Sequence, residues 1–139
     1  ANLLHGSVSK SYIVGDSSGW IVPPNKDSQF YVHWASNKTF TVGDTLVFNF
    51  DDREDDVAMV TKSCFDDCNF ETEFLRSALL SNSPARVTLN RTGKQYFICT
   101  GYTAQDYNPT VFHCSAGQKL SINVVKASAP PASAPSPTP

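Results

Sequence analysis

The feature that most constrains the fold is a series of short segments rich in β-branched and aromatic residues, separated by turns and with little helix between them. The segments are 10–14, 45–50, 57–61, 85–89, 94–99 and 119–125. Runs of this length and composition, bounded by Gly, Pro and Asn, are typical of strands. The chain has 139 residues, enough for one hydrophobic core but not for two domains. The pattern predicts an all-β protein, a two-sheet Greek-key sandwich with one or two short helical turns.

Local patterns refine this prediction. The segment 10–14 is predicted to be an edge strand, and 85–89 and 94–99 are predicted to form a hairpin or closely spaced pair across the turn at 90–93. The aromatic residues of 30–34 have helical spacing, which favours a single helical turn over one end of a sheet. The segment 51–56 holds five acids and one Arg, which indicates a solvated loop.

Charge and hydropathy exclude two classes of function. The net charge of -2 offers no basic stripe, so we expect no nucleic-acid partner. No apolar run approaches the roughly 18 residues that a membrane span requires, so we expect no transmembrane segment. The first residues lack the charged region and apolar block of a signal peptide, and we therefore expect a processed mature form.

The cysteines and sequons indicate an oxidising compartment. The chain has four cysteines and two Asn-x-Thr sequons, which predict N-glycosylation at Asn37 and Asn90. A secreted, extracellular protein is therefore expected.

Composition also suggests the domain limits. From residue 127 to 139 the chain contains only Ala, Ser, Thr and Pro, a composition that cannot bury apolar area and that predicts a disordered linker. We expect an N-terminal arm at 1–10, one folded domain at 11–126 and the linker at 127–139.

The stretch 96–118 carries the main chemical signal. It begins as a strand ending at Cys99, continues as a long polar segment, and closes on His113 and Cys114, with Gln118 four residues after Cys114. A thiolate, an imidazole and a weakly coordinating side chain, supplied by one loop between two strands, are typical of a mononuclear copper site.

The chain resembles the plant phytocyanins, most closely the stellacyanin and umecyanin type, and also the early nodulin-like kind. The resemblance runs from about Ser11 to Val125. Its motifs are YIVGD at 12–16 with GW at 19–20, FYVHWA at 30–35, KTFTVGDTLVFNF at 38–50, DVAMVTK at 56–62, FDDC at 65–68, YFICT at 96–100 and HCSAGQKLSINV at 113–124. It implies a cupredoxin-like fold, a disulfide between Cys68 and Cys114, and a C-terminal glycosylated stalk that often leads to a lipid (GPI) anchor at the cell surface.

By the same resemblance, Cys99 is the copper thiolate, His113 the imidazole from the loop and Gln118 the axial ligand. The chain departs from the pattern in two ways. Asp55 stands where the family has its upstream His, and a carboxylate is a harder donor that suits cycling copper less well. Thirteen residues separate Cys99 from His113, where the stellacyanin pattern has about four, so the sequence alone does not show what holds His113 in place.

The remaining cysteines allow two arrangements. Cys64 is an extra cysteine, and in an oxidising compartment it would pair with Cys99 in a second disulfide, which leaves no thiolate for copper. In the alternative arrangement Cys99 stays free as a copper ligand and Cys64 is a free thiol. His33, beside a Trp and without a nearby second ligand, is expected to be structural or exposed.

These features are compatible with three functions. The leading hypothesis is an extracellular phytocyanin of the early nodulin-like kind whose blue-copper site is degenerate or copper-free. It would have no cofactor and a non-redox role, binding a cell-wall glycan, a peptide or a receptor ectodomain. The second is a copper electron carrier with a modified site of Asp55, Cys99, His113 and Gln118. The third, an enzyme that uses the 100–112 loop with Tyr102, Asp106, Tyr107 and His113, lacks any known catalytic spacing, and we expect that the chain is not an enzyme.

Overall fold

The computed structural model describes residues 8–69, 79–105 and 108–127. Predictions on the other residues lie outside the described part of the chain. They concern Asp106, Tyr107, most of the N-terminal arm and the linker from 128 onward. The predicted domain limits stay predictions.

The first sheet has three strands, in the order β1-β3-β5. These are β1 at Ser11–Ile13, β3 at Thr45–Phe48 and β5 at Ala85–Thr88. The β1 strand pairs with β3 in parallel and lies at the edge, as predicted, whereas β3 and β5 are antiparallel.

The second sheet has four strands, in the order β2-β9-β6-β4. These are β2 at Phe40–Thr41, β4 at Ala58–Val60, β6 at Gly93–Ile98 and β9 at Lys119–Val125. The long central pair β6 and β9 is antiparallel, as is β6 with β4, and β2 joins β9 in parallel. The predicted two-sheet sandwich is confirmed.

Two short α-helices, two 3-10 turns at Asp16–Ser18 and Pro24–Lys26, and one ribbon complete the described structure. Helix α1 is Phe30–Ser36, as its aromatic spacing predicted, and helix α2 is Lys62–Asp67. The ribbon consists of β7 at Tyr102–Gln105 and β8 at Asn108–Phe112, which pair antiparallel within the long segment before His113. In the described ranges we find no helix with the length and apolarity needed to span a bilayer.

The predicted pairing of 85–89 with 94–99 is wrong. The β5 strand pairs with β3 in the first sheet, and β6 pairs with β4 and β9 in the second, so the turn at 90–93 crosses between sheets. Leu89 is fully buried at this crossing and donates its backbone N–H to Asp44 O at 2.8 Å. An alternating strand pattern fits any antiparallel neighbour, so it did not determine which sheet each strand joins.

The core lies between the two sheets. Leu46 and Phe48 of β3 face Phe97 of β6 and Leu120 of β9, and the ring of Phe48 lies 5.0 Å from Trp20 and 5.6 Å from Phe97. A smaller cluster forms on the other face of the second sheet, where Ile98 is covered by α2.

Asp44 organises one end of the sandwich. This carboxylate is only 1% exposed and accepts hydrogen bonds from the backbone N–H groups of Lys10 and Thr41, each at 2.9 Å, and from the Thr41 hydroxyl at 3.2 Å. Because Lys10 precedes β1 and Thr41 belongs to β2, the side chain joins strands of both sheets.

We predict that Asp44→Ala lowers the free energy of unfolding by about 1–3 kcal/mol, because it leaves two partly buried N–H groups without their acceptor. Urea unfolding followed by circular dichroism measures this change. Asp67→Ala, which removes an exposed acid, serves as the matched control and should change stability by no more than about 0.5 kcal/mol. Equal effects in the two variants would contradict the structural role of Asp44.

Candidate metal site

The strand β6 and its extension place one donor in the core. Side chains alternate along a strand, so Phe97 and Cys99 face the space between the sheets while Ile98 faces α2. The pairing of Ala58 with Ile98 brings the residues just before β4 close to those just after β6. Asp55 and Cys99 therefore become neighbours although 44 positions separate them.

Two hydrogen bonds fix this neighbourhood. The Asp56 carboxylate accepts from the Thr100 backbone N–H at 2.7 Å and from the Thr100 hydroxyl at 2.5 Å. In addition, the backbone O of Asp56 accepts from Trp20 Nε1 at 2.8 Å.

The prediction of a solvated loop over 51–56 is thus right for 51–54, which are exposed, and wrong for Asp55 and Asp56, which are partly buried.

Three of the proposed ligands meet at one point. Asp55 Oδ1 lies 3.0 Å from His113 Nδ1, and Cys99 Sγ lies 3.6 Å from each of these atoms. His113 is 3% exposed and the Asp55 side chain 9%. All three donor atoms lie within 4.8 Å of one another, which is close enough for one metal ion to contact them together.

The ribbon explains how His113 reaches the site despite the long insertion. It carries the chain out and back, so that Tyr102 pairs with Phe112 and the following residue returns beside Cys99. The backbone N–H of His113 donates to Gly101 O at 3.0 Å, and its ring Nε2 lies 2.8 Å from Thr103 Oγ1. The imidazole is thus held at its backbone and at its outer ring nitrogen.

Gln118 lies next to the same site. Its backbone N–H donates to His113 O at 2.9 Å, and its backbone O accepts from the Cys99 N–H at 3.2 Å. The residue is fully buried, and among the described residues neither amide atom of its side chain has a hydrogen-bond partner. The amide is nevertheless close enough to Asp55 to act on the pKa of that carboxyl. A buried amide without satisfied hydrogen bonds costs free energy, so this position favours an additional ligand.

Burial controls the protonation of the site. It raises the pKa of Asp55, and the opposing effects of His113, Gln118 and Cys99 do not fully compensate. Burial also raises the pKa of the Cys99 thiol, an effect that the Gly101 N–H, at 3.3 Å from the sulfur, only partly offsets. A bound cation would favour the charged forms of both groups.

The cysteines take the second of the two arrangements. Cys68 and Cys114 form a disulfide with an S–S distance of 2.05 Å, and Cys64 and Cys99 are both free and buried. The prediction of a Cys64–Cys99 disulfide is therefore wrong: Cys64 lies on α2 and packs with Ile98, on the opposite face of the strand from Cys99.

The other predicted residues lie away from this cluster or outside the description. His33 is exposed on α1, and Asn37 and Asn90 are exposed, so glycosylation at these two positions stays a prediction. Of the residues weighed for catalysis, Tyr102 is exposed on the ribbon, and Asp106 and Tyr107 fall outside the described residues.

Sequence reasoning missed three residues that shape the site: Asp56, Gly101 and Thr103. A Cβ on Gly101 would lie 2.2 Å from Glu54 O, 2.9 Å from His113 Nδ1 and 3.3 Å from Cys99 Sγ, so a glycine is needed there for close approach. A glycine two residues after a ligand cysteine was the available signal, whereas the pairing partners of Asp56 and Thr103 depend on the fold.

With this fold and this cluster of donors, the chain belongs to the family described as plastocyanin-like domain, whose model matches residues 20–118, and within it to the plant phytocyanins. The cucumber peeling cupredoxin of Cucumis sativus is 45% identical over 122 residues, which cover 87% of this chain and 80% of that protein. A blue copper protein of Arabidopsis thaliana is 41% identical over 121 residues, 87% of this chain but only 55% of that longer protein. The solved structure of cucumber stellacyanin with Cu2+ at pH 7.0 superposes with a TM-score of 0.69 at 42% identity, over 86% of this chain and 98% of that one.

These findings correct the expectation of a protein without a cofactor. The relatives are blue copper proteins, and Asp55, Cys99 and His113 form a cluster able to hold copper. The error came from treating Asp55 and the insertion as losses, whereas the fold turns Asp55 inward and the ribbon returns His113 to Cys99. Plant phytocyanins are extracellular and are not enzymes, in agreement with both predictions.

We predict that Gly101→Ala opens the site, because the added methyl group must displace the Glu54 carbonyl or the His113 ring. In a Cys64→Ala background, which removes the other free thiol, the Cys99 thiol should react faster with a thiol reagent under native conditions. The free energy of unfolding should fall by about 1–3 kcal/mol.

Gly93→Ala is the control for this prediction. Gly93 has φ of 108°, so alanine is strained there, but apart from the adjacent residues no atom of the described chain lies within 4 Å of the added carbon. This variant should lose stability without exposing Cys99. Unchanged thiol reactivity in Gly101→Ala would contradict the prediction.

Proposed function

We propose that this protein is an extracellular one-electron carrier that binds a single copper ion through Cys99, His113 and Asp55, with Gln118 as a weak fourth ligand. The observation that carries the proposal is the convergence of Asp55 Oδ1, Cys99 Sγ and His113 Nδ1 within 4.8 Å in a buried site. The copper-binding relatives support it.

The donor set fits copper. A thiolate and an imidazole are the soft and intermediate ligands that copper accepts in both oxidation states, and a weak axial amide is one of the known variants of such sites. The amide of Gln118 is buried and has no hydrogen-bond partner among the described residues, so it is available as this weak axial ligand. The sulfur of Cys99 is free. It can therefore bind copper, which it could not do in a disulfide with Cys64.

Copper would supply the ability to gain and lose one electron, and the protein supplies a fixed and dry set of donors. Cys99 is held by the Asp56–Thr100 hydrogen bonds on one side and by the Gln118 backbone on the other. His113 is held by Gly101 and Thr103. Because each donor is fixed before an ion binds, the donors would need to rearrange little when the copper ion gains or loses an electron.

Asp55 makes the site differ from one with two imidazoles. A carboxylate oxygen is a hard donor and carries a full negative charge, so it stabilises Cu(II) more than Cu(I). We infer that the reduction potential is lower than it would be with histidine at this position.

The surroundings of the domain belong to the same proposal. Asn37 and Asn90 are exposed and are the proposed glycosylation sites. The stalk-like segment from residue 127 is proposed to link the domain to a lipid anchor. The proposed partner is a cell-wall glycan, a peptide or a receptor ectodomain.

Titration of the metal-free protein with Cu(II), followed by absorption and EPR spectroscopy, tests the copper site. We expect one equivalent to bind, with an intense visible band from the thiolate. Cys99→Ser should abolish the band, whereas Cys64→Ala, which changes the other buried free thiol, should keep it. A wild-type protein that binds no copper, or whose band survives Cys99→Ser, would refute the proposal.

We further predict that Asp55→His raises the reduction potential and tightens Cu(I) binding, because it replaces a hard anionic donor with a neutral imidazole. Cyclic voltammetry and competition with a Cu(I) chelator measure the two effects. Glu54→His places the same side chain one residue earlier at an exposed position and should leave both values unchanged. An unchanged potential in Asp55→His would show that Asp55 is not a ligand, and a lower potential would contradict the argument from its charge.

A further inference from the structure

We propose that Thr103 is a positioning residue that fixes the ring of His113 through its outer nitrogen, in both the metal-free and the metal-bound protein. The metal-bound half of this inference rests on the function proposed above, and the metal-free half stands without it. Thr103 lies in the insertion, on a strand that the short stellacyanin-type segment has no room to form.

The geometry gives each nitrogen of His113 a separate task. Nδ1 faces the other donors, 3.0 Å from Asp55 Oδ1 and 3.6 Å from Cys99 Sγ. Nε2 points the opposite way and lies 2.8 Å from Thr103 Oγ1. In metal sites the second ring nitrogen of a ligand histidine is commonly hydrogen-bonded, and that bond sets the orientation and the tautomer of the ring.

A hydroxyl is suited to both states of the ring because it can donate and accept. In the metal-free protein Nδ1–H donates to the Asp55 carboxylate, so Nε2 has a lone pair and accepts from the Thr103 O–H. If a metal were held at Nδ1, the ring would release that N–H proton to solvent and take one up at Nε2, which would then donate to Thr103 Oγ1. The neutral ring exchanges one N–H for the other, with no net change in its protons, and the hydroxyl rotates to keep the bond.

The ribbon keeps Thr103 in place. Thr103 pairs with Val111 across the two strands, and the neighbouring Tyr102 pairs with Phe112, their rings 6.1 Å apart. His113 directly follows Phe112, and its own N–H is bonded to Gly101 O. The ribbon therefore delivers both the imidazole and the group that orients it.

Three variants test this assignment. Thr103→Val keeps the shape and the β propensity but loses the hydroxyl, and Thr103→Ser keeps the hydroxyl. Thr110→Val makes the same change at an exposed position of the other ribbon strand and is the matched control.

The first readout is independent of metal. Nitrogen NMR shifts of the histidine rings are measured in the metal-free protein, which has three histidines. We expect the Nε2 shift of His113 to be that of a hydrogen-bonded nitrogen in the wild type, Thr103→Ser and Thr110→Val, and that of an unbonded nitrogen in Thr103→Val. A wild-type shift of an unbonded nitrogen overturns the proposal, as does a wild-type spectrum in Thr103→Val.

The second readout is copper affinity. Thr103→Val should bind Cu(II) about 10–100-fold more weakly than the wild type, the usual effect of losing such an outer contact. Thr103→Ser should restore most of the affinity, and Thr110→Val should not change it. Equal affinity in Thr103→Val and wild type overturns the metal-bound half. If the wild type binds no copper while Thr103→Val alone alters the Nε2 shift, the proposed function fails and the metal-free half holds.

Discussion

The paired hydrogen bonds between Asp56 and Thr100 are the interaction on which the site depends. Each residue directly follows a proposed ligand, Asp55 in one case and Cys99 in the other, so the two bonds fix the distance between two donors 44 positions apart. The bonds lie at the end of the β4–β6 ladder, where backbone pairing has stopped and side chains must continue it. Bonds that involve a charged carboxylate are stronger than neutral ones and therefore suit this position.

The main effect of the long insertion before His113 would be to leave the imidazole without a fixed position, and the ordered ribbon prevents this. Extending a flexible loop from about four residues to 13 costs only about 1 kcal/mol of closure entropy, but a flexible loop would leave the imidazole without a fixed position. Strand pairing in the ribbon removes that freedom. The Gly101 carbonyl and the Thr103 hydroxyl then use two residues of the insertion to hold His113. The added residues thus replace the preorganisation that a short loop provides through its length.

Sequence patterns predicted where the strands and helices lie better than they predicted which strands pair with each other. The strand of Lys119–Val125 and the helix beginning at Phe30 follow from local periodicity, and their bounds agree closely with the structure. The pairing of β5 could not be read in the same way, because alternation shows which face of a strand is buried but not which strand lies beside it. The run of acidic residues at 51–56 misled the interpretation of Asp55 and Asp56 for a related reason. Their burial is decided by Thr100 and His113, which are more than 40 positions away.

The charge of the site explains why a carboxylate can stand where the family has an imidazole. In the proposed copper site, Asp55 and Cys99 would both be ionised and carry two negative charges, which Cu(II) would neutralise and Cu(I) would not. In a site this deeply buried an uncompensated charge is costly, so the oxidised state is the better matched. A site with two imidazoles and one thiolate has the opposite balance, since Cu(I) neutralises it and Cu(II) leaves one positive charge. In the proposed copper site, a carboxylate at position 55 would therefore make the protein interior favour Cu(II), where a second imidazole would favour Cu(I), with the same fold, sulfur and loop histidine.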